Sequence, residues 1–166
     1  MNHSQSSPMP ASGAILAVDP GAVSGAVALY TPAGNLVVGD LAVVNRQIDP
    51  AAFSRVVRDM GVNTAVVEQV ASMPKQGVAS TWKFGFACGA IYGVLAACGV
   101  PVHYVTPSVW KRHHGLLGKD KEASRALAIK LHPGIEGLHL KKHQGRAEAL
   151  LILDWFRNVK LKEQQP

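Results

Sequence analysis

An unbroken apolar run, Ala14-Ile15-Leu16-Ala17-Val18, ends on the carboxylate of Asp19, and Pro20-Gly21 stops it. The run predicts a buried strand over residues 15–18 with Asp19 at its C-terminal edge. A carboxylate beside a core loses hydration and needs a metal ion, an arginine or several backbone amides in its place. Asp-Pro-Gly is also a common turn sequence, and on this stretch alone Asp19 could simply open a turn. The same design returns in Thr64-Ala65-Val66-Val67-Glu68, where apolar residues again end on an acid.

The intervening chain decides how these two strands are arranged. Residues 26–30 and 36–40 read as two further strands, joined by Thr31-Pro32-Ala33-Gly34-Asn35. Their connections are too short for crossovers, so the first three strands form an antiparallel meander. Residues 50–60 read as a helix with Asp49 as N-cap, Gly61 at its end, and Phe53, Val56, Val57 and Met60 on its apolar face. That helix is a crossover, which lets strand 64–68 run parallel to the first strand. After a loop over 73–80, the chain reads as a small-residue helix 81–98, a strand at 102–105, a helix 108–113 begun by Thr106-Pro107, a helix 122–131 and a last helix 146–160. The order predicts an α/β domain with a mixed five-stranded sheet. Ligands of such sheets gather at the carboxyl ends of the strands, where Asp19 and Glu68 stand.

Composition narrows the class. With 48% hydrophobic residues in 166, the chain can bury a sizeable core as one domain over 14–160, flanked by tails at 1–13 and 161–166. The formal charge of +6 points to a polyanionic partner, most simply nucleic acid, or else to a basic face that only aids solubility. Cys88 and Cys98 lack metal or redox spacing and read as two buried thiols in a reducing cytoplasm. The Ser- and Pro-rich start has no apolar run after a basic one, so it reads as a flexible tail and not a signal peptide. Residues 84–102 approach the length of a membrane span, but their glycines and alanines suit a helix packed closely inside a domain, and no membrane role is expected.

A third acid completes a constellation. On the last helix Glu148 shares a face with Leu151, Ile152 and Trp155, so it points to the core. An exposed glutamate in an i,i+4 ion pair is the alternative, but Gln144 and Ile152 offer it no charge. Two acids on adjacent strand ends repel unless a cation neutralises them, and oxygen ligands suit Mg²⁺. Three converging acids make a site for phosphoryl transfer, in which one ion activates water and another stabilises the leaving oxygen.

Here the sequence resembles the RuvC family of Holliday-junction resolvases, in the RNase H-like superfamily. The resemblance runs from Ile15 to about Asn158. It rests on Ile-Leu-Ala-Val-Asp-Pro-Gly (15–21), Ala-Val-Val-Glu-Gln-Val (65–70), the small-residue helix, and Val-Pro-Val-His-Tyr-Val-Thr-Pro-Ser-Val-Trp-Lys (100–111). Gly-Lys-Asp-Lys-Glu (118–122) and Gly-Arg-Ala-Glu-Ala-Leu-Leu-Ile (145–152) complete it, the latter closer in style to phage-type members. It implies an RNase H-like fold with helices on both faces of the sheet, and a homodimer. It also implies two Mg²⁺ ions per site, replaceable by Mn²⁺, and symmetric paired nicks in four-way DNA junctions during recombination or repair. A bacterial cytoplasm, or a phage or prophage within it, is the implied setting.

Asp19, Glu68 and Glu148 match the family's metal-binding acids. Lys111, Arg112, Lys119 and Lys121 fall in its DNA-facing region, and clustering with His113 and His114 favours phosphate contact over a merely solvated loop. A fourth metal-site residue commonly precedes the last acid, and His143 and Gln144 are the candidates. Gln144 faces with Glu148 if the helix already includes it, whereas His143 is free to reach a metal if the helix starts at Gly145 or later. Glycine starts a helix more readily than it continues one, which favours His143. Many cellular members carry a phenylalanine where Ala71 stands. Either Met73, Trp82 or Phe84 contacts an opened junction here, unless the two aromatics are core, or the protein distorts its substrate less and cuts other branched DNA with relaxed junction specificity.

Two other classes compete. Actin-like ATPases and sugar kinases share an Asp-x-Gly loop, but they need a second domain and a second phosphate loop for which this chain has no room. A non-catalytic DNA-binding module would have no need of all three acids.

Overall fold

The computed structural model describes residues 13–69 and 77–163. Ala71, Met73 and most of the tails expected at 1–13 and 161–166 lie outside them, while Leu161–Glu163 of the expected C-terminal tail are helical. A five-stranded sheet has the order β3-β2-β1-β6-β7, from β1 (Ala14–Pro20), β2 (Gly25–Tyr30), β3 (Leu36–Asp40), β6 (Val62–Glu68) and β7 (Val102–Val105). β1, β2 and β3 are antiparallel neighbours, while β1–β6 and β6–β7 are parallel, so the mixed sheet read from the sequence is the one that forms. A two-stranded hairpin of β4 (Val43–Val44) and β5 (Gln47–Ile48) had no counterpart in the sequence reading.

Strand alternation sorts the core into two halves. Ile15 and Ala17 face one side with Ala26, Ala28 and Val66, beneath α5 (Gln144–Trp155) and α4 (Lys121–Leu131). Leu16 and Val18 face the other with Ala65 and Val67, beneath α1 (Pro50–Asp59) and α2 (Val78–Ala97). Asp49 caps α1 as expected, its Oδ1 accepting from the backbone N–H groups of Ala51 and Ala52 at 2.9 and 3.0 Å. A short helix, α3 (Pro107–His113), follows β7 and leads to the basic loop before α4.

Three expectations are corrected. Of the apolar face assigned to residues 50–60, Phe53 and Val57 are buried but Val56 and Met60 are exposed. The small-residue helix is not enclosed: of its twenty residues only Ala87, Ile91 and Leu95 are buried. Trp82 on that helix is 71% exposed and is not core, and the two cysteines are half-buried. No helix among the described residues is long and apolar enough to cross a membrane.

Candidate metal centre and nucleic-acid interface

The odd-numbered residues of β1 face α5, so Asp19 follows Ile15 and Ala17 towards that helix. Pairing of Val18 with Val67 places Asp19 and Glu68 at neighbouring carboxyl ends. Glu148 descends from α5 onto the same region. The three acids feel one another. Burial, then Glu68 and Glu148, push the Asp19 carboxyl well above the usual carboxylate range, against the opposing pull of Lys111 and Lys121. Burial also raises Glu68, partly offset by its hydrogen bond from Trp110.

Each glutamate has a protein partner. The Trp110 indole Nε1–H donates to Glu68 Oε1 at 2.7 Å. The Ser124 hydroxyl donates to Glu148 Oε1 at 3.3 Å, and the Lys111 ammonium lies 3.4 Å from the same oxygen. With the side chains so placed, no three His, Cys, Asp or Glu residues among those described are gathered closely enough to hold one ion. The donor set nevertheless fits a hard divalent cation. It consists of carboxylate oxygens whose mutual repulsion is offset in part by Lys111, Lys121 and the Trp110 indole, and such oxygens are what Mg²⁺ selects.

Gly145 makes this approach of helix to strand possible. A Cβ there would stand 3.2 Å from Asp19 Oδ2 and 3.3 Å from Ala26 Cβ, so the first turn of α5 lies directly over the Asp19 carboxylate. The sequence reading used Gly145 only to place the helix start and gave Trp110 and Ser124 no role. A helix-starting glycine and a tryptophan, whose N–H must find an acceptor if buried, were signals. Neither names its partner.

His143 is not brought to the acids. The helix starts at Gln144, preceded by a single 3-10 turn over Lys141–His143, earlier than the start that favoured His143 as fourth ligand. Its ring is buried, Nδ1 accepts from the Leu140 backbone N–H at 3.3 Å, and burial together with Arg146 and Lys142 lowers its pKa. Arg146, one turn on, grips Asp40 with Nε at 2.8 Å and Nη2 at 2.6 Å. Asp40 pairs with Ala26, which pairs with Asp19, so the backbone of Asp40 lies two strands, roughly 10 Å, from that of Asp19. Gln144, one turn before Glu148, has the position that His143 lacks.

The cations divide. Lys111 belongs to the acidic cluster itself, and Lys121 stands near enough to act on Asp19. Arg112, Lys119 and Lys121 are exposed on α3, the following loop and the start of α4.

No family model matches the chain. Over 91 residues, 54% of its length, it is 38% identical to the chloroplastic Holliday junction resolvase MOC1 of Chlamydomonas reinhardtii. It spans about a tenth of the length of that curated relative. Among solved structures, it is similar to RuvC of T. thermophilus in complex with a Holliday junction substrate, with TM-score 0.61 and 16% identity over 87% of this chain and 95% of that one. The Fowlpox virus resolvase, solved with junction DNA, gives 0.53 and 14% over 88% and 98%. The yeast mitochondrial resolvase Ydc2 gives 0.51 and 12% over 95% and 89%. The fold is thus RNase H-like, with acids at the carboxyl ends of β1 and β6. Within that class the likeness is to RuvC and its relatives, and the family resemblance read from the sequence is borne out.

Proposed function

We propose that the protein is a metal-dependent, structure-selective endodeoxyribonuclease that cuts four-way DNA junctions by symmetric paired nicks. One observation carries this reading: Asp19, Glu68 and Glu148 converge from two adjacent strand ends and one helix, near enough for both glutamates to raise the Asp19 carboxyl, with Lys111 and Lys121 beside them. The three acids would hold Mg²⁺ or Mn²⁺, two ions to a site. When bound, the ions supply an activated water and stabilise the leaving oxygen. The chain's own residues do the rest. Trp110 and Ser124 hold the glutamates, while Lys111 and Lys121 moderate the charge and meet phosphate oxygens. Arg112 and Lys119 bind the DNA arms, which supplies affinity independent of the metal.

Symmetric cutting needs two sites related by a two-fold axis, so we take the active form to be a homodimer. The exposed face of α2 supports this. Gly85, Gly89 and Gly93 are exposed one turn apart, and an added Cβ there would touch nothing. Phe86 lies beside them, 47% exposed. The free thiols Cys88 and Cys98 suit a reducing compartment, and we place the protein in a bacterial cytoplasm, of cellular or phage origin.

The test is a labelled four-way junction incubated with the protein, with and without Mg²⁺, beside a linear duplex of the same sequence. Paired nicks at symmetric positions, dependent on the ion and absent from the duplex, are expected. Binding without cutting in Mg²⁺ and in Mn²⁺ would leave only a junction-binding module.

A further inference from the structure

The indole of Trp110 is wholly buried, and its only polar atom points at an acid. An indole nitrogen is a donor only, so burial obliges it to find an acceptor. The acceptor is not a nearby carbonyl but Glu68 Oε1, 42 residues away in sequence and itself buried. At 2.7 Å the bond has the length of a charge-assisted one. Trp110 sits in a seven-residue helix begun by Pro107, where the backbone has little freedom. The next residue, Lys111, reaches Glu148 instead. Successive helical residues point about 100° apart, so one short helix grips two acids of the cluster with adjacent side chains.

We propose that Trp110 is a positioning residue for the metal site: its indole N–H fixes one oxygen of Glu68 and thereby presents the carboxylate to the ion. This rests on the functional reading above. A glutamate has three side-chain torsions to lose on binding, and a buried hydrogen bond to one oxygen removes that cost beforehand. The alternative is that Glu68 merely satisfies a core tryptophan. That would make the bond a matter of stability and leave ion binding indifferent to it.

Trp110→Phe separates the two, because it keeps an aromatic ring and deletes the donor. Mn²⁺ binding to the DNA-free protein is measured by calorimetry for both proteins. Weakening of about 10- to 100-fold is expected, as for partners that orient metal ligands elsewhere. Junction affinity in chelator is expected to stay unchanged. Equal Mn²⁺ affinity in wild type and Trp110→Phe would overturn the proposal while leaving the nuclease reading intact. Wild-type protein that neither binds Mn²⁺ nor cuts junctions would remove both together.

A second measurement needs no variant to fold. In the wild-type protein the Trp110 indole N–H resonance is followed by NMR during Mg²⁺ titration. It is expected to shift with the midpoint of ion binding, while Trp82 and Trp155, which make no such bond, stay still. A Trp110 signal that ignores bound Mg²⁺ would also overturn the proposal.

Discussion

Helices α5 and α2 lie on opposite faces of one sheet, and both are rich in apolar residues. Yet seven of the twelve residues of α5 are buried and only three of the twenty of α2. α5 is enclosed by the sheet and α4, so Glu148, the acid it carries to the strand ends, stands out as a cost the fold bears for chemistry. α2 touches the sheet through Ala87, Ile91 and Leu95, one turn apart, half-buries Phe84, Cys88, Ala90, Tyr92 and Val94, and exposes the remainder, with Lys83 as its single charge. Apolar composition therefore reports a face that will be covered without saying by what. In α5 the cover is the chain's own sheet. In α2 we take it to be a second copy.

The largest expected effect lies on the α5 side. Glu148→Gln, Asp19→Asn and Glu68→Gln each remove charge that an ion requires, and each should lower the single-turnover cleavage rate by about 10³ or more. Junction affinity, carried by lysines on phosphates, should hold in a gel-shift titration. A neutral variant that cuts at the wild-type rate would take that residue out of the site and weaken the contrast between the two helices.

Phe86→Glu tests the other side. The side chain is 47% exposed, so the monomer's unfolding free energy should change by no more than about 0.5 kcal/mol in urea. Sedimentation should nevertheless show the mass falling from dimer to monomer at micromolar concentration, with paired nicking reduced to single nicks. A wild-type protein that is monomeric with and without junction DNA would contradict the assignment of α2.

How much of this was legible follows from how local each cause is. An acid that ends a buried strand is a local pattern, and it located Asp19 and Glu68 correctly at adjacent carboxyl ends. The meander, the crossover helix and the Asp49 cap were also local. The β4–β5 hairpin was not, because its turn places Asn45 and Arg46 at φ 49° and 62°, where glycine is the usual signal. The start of α5 was misplaced because Gln144 and Gly145 leave the boundary weakly marked, and one residue decides which of His143 and Gln144 faces Glu148. The partners of Trp110 and Lys111 are long-range contacts that no local pattern encodes. Reading Lys111 as a DNA contact alone missed its place among the acids.

The acids should also mark the stability of the metal-free protein. Asp19 has a folded-state pKa raised above its unfolded value, chiefly by burial and then by Glu68 and Glu148. Between those two values the native state holds a proton that the unfolded chain has released, so stability falls as pH rises through the window. Histidines contribute to both proteins alike, so wild type and Asp19→Asn are compared at each pH. In chelator the melting temperature of Asp19→Asn should exceed that of wild type by a margin that widens as pH rises above the carboxylate range. Mg²⁺ should close the margin by stabilising wild type alone. A margin that does not change with pH would mean that the Asp19 carboxyl ionises normally.

The smallest effect compares one substitution on both helices. Replacing glycine by alanine in a helix favours the helix by up to about 1 kcal/mol. At Gly89 an added Cβ meets nothing within 4 Å, so Gly89→Ala should show most of that gain. It is measured by urea unfolding in the Phe86→Glu background, where no partner copy covers the face. At Gly145 the Cβ would come within 3.2 Å of Asp19 Oδ2, tighter than ordinary contact. The helix or the carboxylate must then move by a few tenths of an ångström, and Gly145→Ala should gain less than Gly89→Ala and bind Mn²⁺ more weakly. Equal gains with unchanged Mn²⁺ binding would show that the first turn of α5 has room to spare over Asp19. The close approach of that helix would then be incidental to the site and not part of its construction.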